Sequence, residues 1–277
     1  MMNKLLQPKP LIFAFLGLLL MGCTTTSTTP GLVDVNRSQF FLISQAELVK
    51  AGSEAYQAVL KEATDAGTLN KDPEMVARLT RILDEMIPHT AHFRPDAVNW
   101  SWEVNLIQDD TINAWVMPGG KIMFYSGLIE KLSLNDDEIA AIMGHEMAHE
   151  LREHARERIS QAQVGSVGLS VVGQLTGVQG AALDLAGAVM NVGILLPFSR
   201  VHEVEADRIG IELAARSGYD PAAAIAIWEK MAKLSQGGAP PEFLSTHPSY
   251  DSRIKDLTRY SARLQPIYQQ ALAERNN

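Results

Sequence analysis

The chain has 277 residues, 46% of them hydrophobic, with 32 acidic against 24 basic side chains and a formal net charge of −8. That length supports a sizeable core without staples, and a single cysteine excludes an internal disulfide. So acidic a body excludes nucleic acid as a partner and argues against attraction to anionic lipid by charge alone.

The N-terminus reads MMNKLLQPKP, then LIFAFLGLLLMG, then Cys23. A short basic stretch with Lys4 and Lys9 thus precedes an apolar run too short to cross a bilayer as a helix. Leu20, Met21, Gly22 and Cys23 resemble the lipobox of bacterial lipoproteins. On that resemblance residues 1–22 are a signal peptide and Cys23 is lipidated, an uncleaved N-terminal anchor being the alternative. Several acyl chains on one cysteine hold a membrane stably, at about 0.8 kcal/mol per buried CH₂. Residues 23–36, with TTTSTTPG directly after the cysteine, read as the lipidated end and a polar tether with little to bury. Thr24 in the position after Cys23 resembles lipoproteins routed to the outer membrane, so the expected location is periplasmic, lipid-anchored to that membrane.

Residues 37–277 read as one domain. Ser44 and Glu47 are spaced as a capping box for a helix running to about Ala63, and Asp72 with Pro73 starts a second that ends near Pro88. From Asn99 the pattern changes: NWSWEVNLIQ alternates, NAWVMP follows, PGG turns, and KIMFYSG completes what reads as a small antiparallel sheet. Asn135 and Glu138 form another capping box, opening a helix expected to reach about Gln161. Between Arg158 and Arg200 the only charged residue is Asp184. Polar residues interrupt every run there long enough to span a bilayer, so 159–199 reads as buried or lid-forming helices rather than a membrane hairpin, with Gly173 and Gly177 allowing close packing. A helix from Ser199 to Gly218, one from Asp220–Pro221 to about Gly237, THPSY, and a charged helical tail broken at Pro266 complete the chain. The fold class is therefore α+β and mostly helical.

The chemistry concentrates in IAAIMGHEMAHELREHARER, residues 139–158. Each helical residue advances about 100°, so His145 and His149 project side by side. Two neutral imidazoles so placed are ready zinc ligands, and Glu146, one step round, can reach a water on the same ion; this is the HExxH motif. The bland alternative, an exposed histidine pair on a charged helix, fits poorly with Ile139, Ala140, Ile142, Met143, Met147 and Ala148 around it. His154 falls about 180° round the helix from His145 and reads as a surface histidine. His89 and His92, in a loop before the sheet, read as structural.

A catalytic zinc needs a third protein ligand. SRVHEVEADRIG offers His202, Glu203, Glu205 and Asp207; Glu203 and Asp207 share a helix face, whereas Glu205 points elsewhere. Glu203 as ligand with Asp207 orienting a histidine competes with a merely acidic helix start favoured by the dipole. His247 in THPSY has three roles open to it: polarising the scissile carbonyl, occupying the open coordination position, or holding a turn before Pro248. Arg253 is a further candidate to approach the site.

HEMAH followed by SRVHEVEAD resembles the HtpX and CAAX-prenyl-endopeptidase-type family of zinc metallopeptidases, gluzincins with the HExxH motif. NAWVMPGGKIMFYSGLI and STHPSYDSRI are similar to segments of that family's periplasmic members, and the likeness covers roughly residues 40–260. It implies one zinc held by His145, His149 and Glu203, with Glu146 as general base and Asp207 behind the ligands. The chain resembles the short periplasmic lipoprotein branch, without spanning helices or the helical repeats of larger members. The expected activity is endoproteolysis of unfolded or misassembled envelope proteins in quality control, with extended substrates paired to an exposed edge strand near NAWVMPGG and outer-membrane assembly machinery as a possible partner. The rival is a lipoprotein that binds clients or assembly partners around a capped or structural zinc.

Overall fold

The computed structural model describes residues 24–164, 185–235, 241–248 and 251–275. Cys23 and the proposed signal peptide, and residues 165–184 of the proposed lid with Gly173 and Gly177, lie outside the described residues. The chain begins with β1 (Thr24–Thr25), paired antiparallel to β2 (Gln39–Phe40). Residues 24–36, expected as a tether, are packed against the body, with Thr28, Val33 and Val35 buried.

Helix α1 (Gln45–Asp65) carries its capping box on Ser44 and Glu47, and α2 (Pro73–Met86) is capped by Asp72, whose side chain accepts from Met75 N. Two 3-10 turns then lead to β3 (Glu103–Ile107), β4 (Ala114–Met117) and β5 (Lys121–Tyr125). The sheet order is β3-β5-β4, with β5 parallel to β3 and antiparallel to β4. The sheet is therefore mixed, not antiparallel throughout as the sequence suggests. Alternation along a strand says which face a side chain takes but nothing of which strand pairs with which.

That alternation sorts both faces of the sheet into apolar layers. Leu106, Val116, Ile122 and Phe124 join a core with Leu79, Ile82, Met86, Ile139, Met143, Ile209 and Leu213. Trp115, Met117 and Met123 join Leu48, Ala55 and Tyr56 of α1, where the Tyr56 hydroxyl donates to Ile122 O at 3.1 Å. Strand β4 is at the sheet edge, as expected for NAWVMP, but all four of its residues are buried, so that edge is not exposed.

After α3 (Ser126–Lys131), helix α4 (Asp136–Leu151) starts at the Asn135–Glu138 capping box and carries HEMAH. It stops well before Gln161. Arg152 and Glu153 form a turn, with Glu153 at φ +50°, and a new helix, α5, begins at 154 and runs to 164, the last described residue there. A short helix α6 (Leu185–Ala188) passes into a π-helical stretch, Val189–Leu195. Helix α7 (Arg200–Arg216) follows, capped by the Ser199 side chain, which accepts from His202 N. Then come α8 (Ala223–Ser235), α9 (Glu242–Thr246) and α10 (Asp251–Arg275), the last passing through Pro266 without the expected break. No helix among the described residues is long and apolar enough to cross a membrane.

Helices α4 and α7 cross where Gly144 meets Gly210. A Cβ on Gly210 would lie 2.7 Å from His145 N and 2.8 Å from Gly144 C. This backbone-on-backbone contact brings the HEMAH face against the first turns of α7. Gly210→Ala is expected to cost about 1–2 kcal/mol, because overpacking outweighs the gain in helix propensity. That corresponds to a fall in Tm of roughly 2–8 °C, readable by calorimetry. An unchanged or higher Tm would mean that the two helices separate freely at this point.

Candidate metal centre

Helix α4 supplies His145 and His149, α7 supplies Glu203 in its first turn, and the end of α9 supplies His247. One ligand atom from each of the four lies within 4.8 Å of the other three, and all four residues are buried. His145 Nε2 is 3.1 Å from both His149 Nε2 and His247 Nδ1. Glu203 Oε1 is 3.1 Å from His247 Nδ1 and 3.5 Å from His149 Nε2, and Oε2 is 3.6 Å from His145 Nε2. Zinc–nitrogen bonds of about 2.0–2.1 Å in a tetrahedron place ligand atoms roughly 3.3 Å apart. The separations between the donors match that edge, so the residues fit a zinc-sized ion.

The surroundings select the protonation states this needs. His145 Nδ1 donates to Asp207 Oδ1 at 3.1 Å, leaving its Nε2 lone pair for the centre. Asp207 is fixed from behind by Arg253, whose Nε and Nη2 donate to its two oxygens at 2.6 and 2.7 Å. Arg253 Nη1 also stands 2.7 Å from Glu203 Oε2, an oxygen that is buried without an aligned hydrogen bond. Burial would raise the Glu203 carboxyl, but His247 and Arg253 beside it hold it well below the usual carboxylate range. Asp207 is likewise lowered, burial being outweighed by Arg253 and His145. Burial holds the His149 imidazole neutral, its pKa well below the ordinary value.

Glu146 points to the same place from the next position on α4. Its Oε1 is 3.5 Å from His247 Nε2, is buried, and has no hydrogen-bond partner. Burial pushes its carboxyl up. A buried carboxylate oxygen with no protein hydrogen-bond partner, beside a convergent donor set, is placed as a general base must be. The His247 ring is pinned by stacking on Phe243 at 4.5 Å and on Phe198 at 5.5 Å.

The sequence-derived candidates thus divide. The structure brings His145, Glu146, His149, Glu203, Asp207 and His247 together, and Arg253 with them. His89 and His92 stay in a 3-10 turn, ring against ring at 6.2 Å. His154 is not a surface residue: it is fully buried, and its Nδ1 is 2.9 Å from His149 Nδ1. The turn at Arg152–Glu153 resets the helix, so the angle counted from His145 no longer applies. A glutamate in the left-handed region carries no compositional signal that would have disclosed it.

Comparison with known proteins points the same way. The family described as Peptidase family M48 matches residues 73–261, more than half of the chain. A mitochondrial metalloendopeptidase OMA1 of Schizosaccharomyces pombe is 33% identical over 81% of this chain and 64% of its own length. Beta-barrel assembly-enhancing proteases are 31% identical in Yersinia pestis, over 62% of this chain and 37% of theirs, and 27% in Escherichia coli K12, over 76% and 44%. The chain spans less than two thirds of the length of each of these relatives.

Arg253 is the counter-charge for two buried carboxylates. Arg253→Met is expected to cost about 3–5 kcal/mol in urea unfolding of the metal-free protein at pH 7, since it strands Glu203 and Asp207. Adding Asp207→Asn should recover part of the loss. The pH dependence has a definite sign: with Asp207 and Glu203 depressed in the fold, their contribution is complete above about pH 5 and lost progressively as pH falls further. Stability of the metal-free protein that stayed flat down to pH 2 would contradict this electrostatic account.

Proposed function

Because the chain belongs to peptidase family M48, we propose that it is a zinc-dependent metalloendopeptidase, with the ion on His145, His149 and Glu203 and with Glu146 as general base. The observation that carries this reading is the convergence of four buried donors at zinc spacing beside the orphaned oxygen of Glu146. Zinc, when bound, acidifies a water and polarises the scissile carbonyl. Glu146 Oε1 takes the proton of the attacking water and returns it to the leaving amine nitrogen, a cycle that its raised pKa favours. Asp207 holds His145 in the tautomer that keeps its Nε2 lone pair free.

His247 supplies a fourth donor, and four protein donors make a closed centre whereas hydrolysis needs an open position. In this proposal His247 caps the resting site and must withdraw before a carbonyl enters. Buried strand β4 and the buried donors call for the same opening. Extended or unfolded polypeptides suit such a cleft, because their backbone can pair with a strand edge once that edge is uncovered.

On the lipobox-like Cys23 and the likeness to beta-barrel assembly-enhancing proteases, we place this activity on the periplasmic side of the outer membrane, in quality control of envelope proteins near the assembly machinery. The capped set of four donors also supports a second reading, a client-binding lipoprotein with little proteolysis. Casein degradation separates the two. Chelation should abolish it and zinc restore it, Glu146→Gln should lower it by at least about 10²-fold without loss of metal, and His247→Ala should raise the resting rate. Full activity in Glu146→Gln would overturn the general-base assignment, and no cleavage even by His247→Ala would favour the client binder.

A further inference from the structure

His149 presents Nε2 to the donor set, so its Nδ1 must carry the proton. The atom that faces this Nδ1 is not a carboxylate or a carbonyl but the Nδ1 of another imidazole, His154, at 2.9 Å. The contact has two possible polarities. If His154 donated, the His149 proton would sit on Nε2 and point into the centre, which forbids ligation. If His154 accepts, its own proton is on Nε2.

The far side of His154 decides between them. His154 Nε2 is 3.0 Å from Glu205 Oε2. That carboxylate also accepts from Arg152 Nε at 3.2 Å and from Arg37 Nε and Nη2 at 2.9 and 3.1 Å. Clamped by two guanidiniums, Glu205 offers only lone pairs. His154 Nε2 must therefore carry a hydrogen, its Nδ1 is left bare, and His149 donates to it. Packing holds both rings in place: His154 is fully buried and stacks on His202 at 4.4 Å, while His149 lies 4.0 Å from the Phe198 ring.

We propose that His154 is a positioning residue for the metal centre, transmitting the proton preference of Glu205 through one imidazole to His149, so that His149 is held in the only tautomer that can bind the ion. Both histidines of HEMAH are then oriented by an acidic side chain of α7, His145 directly by Asp207 and His149 at one remove by Glu205. The chain's first described residues belong to this support. The hydroxyls of Thr26 and Thr28 accept from Arg152 Nη1 at 3.1 and 3.2 Å, and Arg37 reaches Glu205 from the segment leading into β2.

The inference rests on the metal reading, and the test keeps the two apart by measuring zinc affinity, through competition with a chromophoric chelator, together with the visible spectrum of the cobalt-substituted protein. Stoichiometric, chelator-competing zinc in the unaltered protein is the precondition; its absence defeats the metal reading and this inference with it. Given that, His154→Phe, which keeps a ring but removes the acceptor, should weaken zinc binding by about 10- to 100-fold and alter the cobalt bands. His154→Asn, whose Oδ1 can stand near the lost Nδ1, should recover a large part. If His154→Phe does not fold, Glu205→Gln asks the same question, because its amide allows the opposite tautomer, and weaker zinc is again expected. Unaltered affinity and spectrum in the folded variant, or no difference between Phe and Asn, would overturn the proposal.

Discussion

Lone pairs aimed at one point repel each other unless a cation sits among them, and in a dry interior no water relieves the repulsion. The imidazoles of His145, His149 and His247 and the carboxylate of Glu203 converge in this way, with facing donor atoms 3.1–3.6 Å apart. Such a set does not assemble for its own stability. It persists because a ring of groups further out fixes each donor: Asp207 on His145, Arg253 on Asp207 and Glu203, and two phenyl rings on His247. The ordinary hydrophobic core does the complementary work, closing α4 onto α7 at the Gly144–Gly210 contact so that side chains from two helices share one small volume.

Which parts of this were legible in the sequence follows from how local each signal is. The capping boxes at Ser44 and Asn135, the Asp72–Pro73 start and the helix start at Ser199 lie within a few residues of what they specify, and they appear where expected. HEMAH is also local, since a single helix brings its two histidines together. Glu203 and Asp207 required only that two helices meet, and their shared face on α7 announced them as a pair. Pairing order in the sheet is non-local, and there the reading of three antiparallel strands fails at β3 and β5, which run parallel.

The other misreadings share one cause, a regular pattern extended past the point where the backbone changes. Counting turns from His145 to His154 presumes a continuous helix, and Glu153 at φ +50° ends it. Treating 24–36 as a tether gave its threonines their composition-based average, yet Val33 and Val35 are buried and Thr26 and Thr28 hold an arginine that is itself fully buried. Pro266 suggests a break because proline removes a helix donor, but the loss of one bond is tolerated in a 25-residue helix packed on α7 and α8.

The order in which these parts are synthesised has its own consequence. The centre's bonds join positions far apart in the chain, 102 residues between His145 and His247 and 168 between Arg37 and Glu205. On a ribosome the HEMAH helix emerges long before its acidic partner, and Arg253 comes last of all. A nascent chain therefore carries histidines without the carboxylate or the counter-charge that complete the donor set. Contacts that span most of the chain form late and cooperatively, so the four donors converge only once the whole body has closed.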